Sequence, residues 1–350
     1  MDNDFLITLF SAEQARRSRV IFGLLKNITT VSTLYGGLRY QLLDYIGFLP
    51  NLTEDEYSQT IETFLQKAWL ETDSAGQLLL TAKGVAAQQN YRSQHVIPEH
   101  LAELGSINLS AWQDSFLLAN QIVSELSYKN KQYYPLQVGP QLMFLVRRWY
   151  YQVRGQGLTE AWIADLESFL KTLPSQQADN FAATWIGHAD PGEVQAQLTL
   201  PATWNQFDFK VWQWNCYLAW SAYLRQRAFD NNSPIQKLWQ SIAVKAPLPA
   251  PVMQTLRAFE QGLTLENIAS YRRIKIGTVR EHLLTAAILL DVSAFPYQRF
   301  LDEGILTYFA THLQGNIDQW QFKAVRQSAN PMEFFYFRLY SIQKTKEAFK

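Results

Sequence analysis

One cysteine in 350 residues, Cys216, excludes an internal disulfide. That fits a reducing compartment, and a cytoplasmic location is the expectation. Net charge is absent too, with 31 lysines and arginines against 31 aspartates and glutamates. Attachment to nucleic acid by bulk charge is thereby excluded, so any such site must come from local asymmetry. No apolar run reaches membrane-spanning length, because charges interrupt each candidate. The opening MDNDFLITLF carries two early acids and lacks the basic start of a signal peptide. Neither a Gly-x-x-x-x-Gly-Lys-Ser/Thr loop, a Gly-x-Gly-x-x-Gly run nor a Gly-x-Ser-x-Gly elbow occurs. A single cysteine without a ligand cluster argues against a metal site. His95 and His100 form the closest histidine pair, but their spacing does not share a helical face. Acid pairs such as Asp55-Glu56 read as helix-start charges rather than general acid and base. The expectation is a protein that is not an enzyme and needs no cofactor or membrane.

What is present is core material. At 47% hydrophobic and 18% charged the chain can bury real cores, and its length suits two or three domains. The expected fold is mainly α, in three segments: 1–95, 96–245 and 246–350.

In the first segment Val20, Ile21, Leu24 and Leu25 form a short helical stripe. Val31, Leu34, Leu38, Leu42 and Tyr45 predict a second helix. Thr53 with Glu56 is a capping box that starts a third, whose inner face holds Tyr57, Ile61, Phe64 and Leu65. AWLETDSAGQLLLT then reads as a β-hairpin around an Asp-Ser-Ala-Gly turn, with a closing helix from Thr81. This is the element order of a winged helix.

The second segment holds nine of the eleven tryptophans. Phe209, Trp212, Cys216, Trp220 and Tyr223 follow helical spacing, while Trp214 and Leu218 lie off that face. The reading is a helical bundle with an aromatic core, its rings packing rather than stacking on bases. A proline cluster, KAPLPAPV at 245–252, marks a semi-rigid linker.

Beyond it, Met253, Leu256 and Phe259 line a helix that Gly262 ends. Thr264 caps a second, with Leu265, Ile268 and Ala269 inside. Ile274 falls in a turn, and a third helix begins near Ile276 with Val279, Leu283, Ala286 or Ala287, and Leu290 inward. That is a helix-turn-helix, in which one helix braces another so that outer side chains reach bases and phosphates. The candidate DNA-binding residues are Arg272, Arg273, Lys275, Thr278, Arg280 and Thr285, with Glu281 beside them. Lys275 occupies the N-cap, where Ser, Thr or Asp serves better, and Gly277 weakens the first turn.

These residues carry a resemblance. GLTLENIASYRRIKIGTVREHLLTA resembles the helicase-associated helix-turn-helix domain at the C-termini of some RecQ-type helicases and in stand-alone bacterial proteins of the YpbB type. The matching features are the Gly-Leu-Thr entry, Ile268-Ala269 and the Thr278-Val279-x-x-His282-Leu283 run. FFYFRLYSIQKTK is similar to that family's C-terminal tail, so the likeness spans roughly residues 251–345. The N-terminal LKNITTVSTLYGGLRYQLLDYIG is consistent with it. Lys275 and Gly277 stand where the family usually has small polar residues. The resemblance implies an accessory protein that binds DNA, or a RecQ-type helicase on a separate chain, in repair or recombination. A transcription regulator using the same modules and a protein-interaction scaffold are the rival readings.

Two other basic stretches stand out. ARRSRVIFGLLK holds Arg16, Arg17, Arg19 and Lys26 without an acid. The last thirty residues hold Lys323, Arg326, Arg338, Lys344, Lys346 and Lys350 against Glu333 and Glu347. Pro331 should open a final helix with Phe334, Phe335, Leu339 and Ile342 on its apolar side, docked in cis.

Overall fold

The computed structural model describes residues 3–155, 157–228, 230–243 and 248–349. Helices dominate, and the named strands among the described residues form a single two-stranded sheet. The chain divides into two compact units: Met1–Phe5 with Gln88–Lys245, and Leu6–Ala87 with Ala246–Lys350. The first and last of the three sequence segments thus contribute to one unit.

In the second of these units, α1 (Ser18–Leu25) and α2 (Val31–Arg39) pack closely. A Cβ on Gly36 would lie 2.7 Å from Val20 and one on Gly37 2.8 Å from Leu24, so glycine permits the approach. The periodicity predicted helix as far as Tyr45. The helix instead ends at Arg39, because Gln41 is left-handed (φ 55) and residues 43–45 form only a 3-10 turn. Helix α3 (Glu54–Gln66) begins at the expected capping box, with the Glu56 amide donating to Thr53 Oγ1 at 3.2 Å and the Thr53 amide to Glu56 Oε2 at 2.9 Å. Tyr57, Ile61 and Phe64 are buried, but Leu65 is 37% exposed.

Strands β1 (Leu70–Thr72) and β2 (Leu78–Leu80) pair antiparallel, Leu70 opposite Leu80. Their turn is fixed by Asp73, whose Oδ1 accepts from the Ala75 and Gln77 amides at 2.8 Å each. Helix α4 (Ala82–Gln94) follows, and the division between the units falls within it.

The Trp-rich unit contains α5 (Leu109–Ser127), α6 (Pro140–Val153), α7 (Leu158–Leu170), α8 (Ser175–Ala183), α9 (Gln206–Gln226) and α10 (Pro234–Ile242). Trp112, Trp149, Trp162 and Trp220 are essentially inaccessible. Phe116 stands among them, edge-on to Trp220 at 4.7 Å and stacked on Trp162 at 5.9 Å. Two of these indoles are hydrogen-bonded: Trp149 donates to the Pro234 carbonyl at 2.8 Å and Trp162 to Asn120 at 2.8 Å. Helix α9 is buried on several sides, with Val211, Cys216, Tyr217, Leu218 and Trp220 all inside.

The proline cluster lies partly outside the described residues, at 244–247. Of the rest, Pro249 caps α11 (Ala250–Glu260) and Pro251 sits in its first turn, where a missing N–H costs nothing. Helices α12 (Leu265–Arg272), α13 (Ile276–Leu289), α14 (Glu303–His312) and α15 (Pro331–Ala348) complete that unit. Leu34 and Leu38 of α2 enter the same apolar cluster as Leu256, Val279, Leu283, Leu339 and Ile342. A polar clamp reinforces it: buried Arg39 meets Asp318 Oδ1 at 2.9 Å and donates to Thr345 Oγ1 at 3.0 Å. On α15, Phe335, Leu339 and Ile342 are buried as expected, whereas Phe334 remains 42% exposed.

Candidate nucleic-acid interface

Helix α11 ends on a left-handed Gly262 (φ 96), and the Leu263 amide reaches back to the Ala258 carbonyl at 3.2 Å. Thr264 then caps α12, accepting from the Asn267 amide at 3.2 Å. At the far end of α12, Arg273 is left-handed (φ 53, ψ 45), a conformation that costs a non-glycine residue roughly 1 kcal/mol. The Ile274 amide returns to the Ala269 carbonyl at 3.0 Å, and Ile274 packs on the apolar cluster. Lys275 is extended and α13 starts at once. Helix α13 packs on α11, α12, α15 and α2.

The start of α13 is the open part of this arrangement. Lys275 provides no side-chain cap, so the first amides of the helix lack a partner from that residue. Such amides and the positive end of the helix dipole favour an anion. Arg273 and Lys275 are exposed, while Thr278 and Arg280 are half-buried on the first turns. Among the described residues, none of Arg273, Lys275 and Arg280 is in an ion pair. Open space surrounds Gly277, with no atom within 4 Å of where a Cβ would stand.

Two expected outward residues lie elsewhere. Thr285 is only 9% exposed, within the buried run Leu283 to Ile288, because the C-terminal half of α13 is enclosed by its neighbours. Arg272 folds back onto α11, donating to the Pro251 carbonyl at 2.8 Å, to Gln254 Oε1 at 3.1 Å and to Thr255 Oγ1. It also lies 3.3 Å from His282 Nδ1, which is 2.7 Å from Thr255 Oγ1. A guanidinium so close disfavours a charged imidazole. Burial, and next the charge of Arg272, lower the His282 pKa. His282 and Arg272 therefore brace the hairpin, a role that sequence separation concealed.

The other basic stretches are largely engaged. Arg16 donates to the carbonyls of Leu9 at 2.6 Å and Tyr40 at 3.1 Å, and Lys26 to that of Pro50 at 2.6 Å. Arg338 lies 3.8 Å from the Tyr35 ring centroid, and Lys346 donates to the Leu290 carbonyl. Lys344 pairs with Glu347 at 2.7 Å. Lys350 lies outside the described residues.

Signals for catalysis are weak. Cys216 is buried, and burial pushes its thiol up to about 12, far from a reactive thiolate. His95 Nδ1 lies 2.9 Å from buried Asp208 beside a cavity of about 560 Å³ lined by Asn180, Trp204, Trp212 and Asn215. Asp208 also accepts from the Val96 and Asn205 amides at 2.9 Å each, so its carboxylate secures the chain after α4. No cluster of three or more His, Cys, Asp or Glu side chains suited to a metal occurs among the described residues. No helix among them is long and apolar enough to cross a membrane.

The braced pair α12–α13 with its tight turn defines a helix-turn-helix, and residues 251–341 match the profile of a family described as a helix-turn-helix domain. Over 335 residues the chain is also similar to Protein YpbB of Bacillus subtilis (strain 168), with 20% identity covering 93% of this chain and 91% of that protein. The likeness thus extends well beyond the helix-turn-helix. No solved structure matches the chain with significance.

Proposed function

We propose that the chain is a non-enzymatic, DNA-binding accessory protein whose contact with duplex DNA is made by the start of α13. Arg273 and Lys275 meet phosphates, and Thr278 and Arg280 approach base edges from the first turns. One observation carries this reading: an uncapped helix start fringed by exposed cations that no acid neutralises. Arg272 and Thr285 are left out of the contact set, the first as a brace and the second as core. The sequence resemblance makes a RecQ-type helicase on a separate chain the partner to test, in repair or recombination.

Replacing Arg273, Lys275 and Arg280 together by Ala tests the contact. Duplex affinity should fall roughly 100-fold at about 0.1 M salt, and the salt slope should drop by about 2 as two phosphate contacts vanish. Unchanged affinity and slope would remove the site. A transcription regulator would prefer one duplex sequence by a factor of at least roughly 1,000. The accessory reading expects preference for forked or tailed DNA, and faster or more processive unwinding when the chain is added to a RecQ-type helicase.

A protein-contact role is a second reading, favoured by Tyr271 (80% exposed) and Ile276 (37% exposed) at the tip of the hairpin. Loss of helicase capture in Tyr271→Ala, with duplex affinity intact, would support it.

A further inference from the structure

Between Glu125 and Glu160 the sequence contains no acid, yet it holds five cations: Lys129, Lys131, Arg147, Arg148 and Arg154. In a chain of zero net charge this is a local excess, and the structure places it beside exposed rings. The inner side of α6 buries Val146 and Trp149 in the bundle. Its outer side presents Phe144 (69% exposed) and Tyr151 (51% exposed), with Arg147, Arg148 and Arg154 also exposed. The spacing from 144 through 147 and 151 to 154 keeps these groups on one helical face. The Arg154 guanidinium lies 4.6 Å from the Tyr151 ring centroid and that of Arg147 5.8 Å. A hydrogen bond from Arg147, and next its charge, lower the Tyr151 pKa.

The segment 128–139 that leads into α6 has no regular structure, but it is tied down. The Gln121 side chain donates to the Tyr134 carbonyl at 3.1 Å and accepts from the Leu136 amide at 2.8 Å. Tyr134 is left 97% exposed, and Tyr128, stacked on His188 at 4.3 Å, is 67% exposed. The acid that precedes the stretch in sequence, Glu125, is buried and occupied by His188 at 2.7 Å and Asn130 at 2.6 Å. Five aromatic side chains are more than half exposed among the described residues, and four of them lie in this acid-free stretch. Exposed rings in an acid-free basic stretch, one of them (Tyr151) flanked by two guanidinium groups, call for a partner with both charge and flat faces.

We propose that the outer face of α6 and the 128–139 segment bind single-stranded nucleic acid. The cations track the phosphates, and Tyr134, Phe144 and Tyr151 stack on unpaired bases. A duplex hides its base faces and offers the rings nothing. An acidic polypeptide satisfies the cations but has no row of flat faces. The proposal stands apart from the helix-turn-helix reading and uses different residues.

The test is anisotropy of a fluorescein-labelled oligo(dT) of roughly 20 nucleotides with the full chain. In Arg147→Ala/Arg148→Ala/Arg154→Ala, affinity should fall at least about 10-fold and the salt slope by about 2. In Tyr134→Ala/Phe144→Ala/Tyr151→Ala, affinity should fall by a similar factor with the slope unchanged. All six side chains are exposed, so an unaltered melting temperature confirms folding. The Arg273/Lys275/Arg280 triple variant should keep its oligo(dT) affinity while losing duplex. Oligo(dT) affinity unmoved by both α6 variants would overturn the proposal. So would equal loss of polyglutamate or phosphatidylserine-vesicle binding in the charge variant with no effect of the ring variant.

Discussion

Helices α3 and α13 lie in the same unit and begin in opposite ways. Each follows other helices in a compact module. The start of α3 is satisfied internally: Thr53 and Glu56 cap one another, and Glu54 and Asp55 complement the dipole. The start of α13 has Lys275 where a cap should stand, and basic neighbours where acids would be more stabilising. Along α3 the exposed charges are Glu54, Asp55, Glu56 and Glu62, all negative. Element order alone would give both modules the same role. On the proposed reading, the chemistry at the helix start favours DNA contact by α13 over α3, while α2 of the first module packs on α13 and supports it.

The largest expected effect comes from cutting that support. Arg39→Ala leaves Asp318 with only the Gln14 side chain, 2.8 Å away, and opens the joint between α2, α15 and the segment before it. It should cost about 2 kcal/mol by denaturant titration, since a buried guanidinium hydrogen-bonded to Asp318 and Thr345 is removed. Duplex affinity should fall with the folded fraction and recover when stability is restored by ligand or low temperature. Next comes a charge contrast between the two helices. Neutralising α3 by Glu54→Gln/Asp55→Asn/Glu62→Gln should change duplex affinity less than about 3-fold, against roughly 100-fold for the α13 triple variant. A large gain on neutralising α3 would place that helix near the DNA and erase the contrast.

How far this was legible depends on how local each signal is. The α3 capping box, the Asp73–Gly76 turn and the α12–α13 boundary at Arg273 to Lys275 are set by residues a few positions apart, and they are readable. The end of α2 is not, because Gln41 turns left-handed where tertiary packing, not periodicity, directs the chain. Thr285 looks outward on a helical wheel, but α13 has neighbours on several sides, including α2 from the far end of the sequence. Arg272 reads as a free cation until Pro251 and Thr255 come within reach. Ring spacing in the Trp-rich unit correctly indicates packing for Trp212 and Trp220. It gives no warning that Phe144 and Tyr151 on α6 face water, since a helix face is identified by what covers it.

A pair of cap substitutions sharpens the comparison further. Thr53→Ala should cost about 1 kcal/mol, whereas Lys275→Ser should gain a similar amount. The same Lys275→Ser change should weaken duplex binding, separating stability from function at one position. Gly277→Ala should add about 0.5–1 kcal/mol, because open space at that position leaves only the helix-propensity difference.

The smallest effect concerns pH. In the folded hairpin burial, and next the charge of Arg272, lower the His282 pKa below the unfolded value near 6.5. The unfolded chain then binds the proton more readily, so the His282 contribution is fully present above about pH 6.5 and is lost as pH falls through the folded value. Protonation sets a second cation beside Arg272. Melting temperatures measured from about pH 7 to pH 5 should therefore decline, and His282→Asn, whose Oδ1 can still accept from Thr255, should flatten that decline. An identical slope in both proteins would mean that the imidazole does not brace the hairpin, and α13 would then be held at its angle by apolar packing alone.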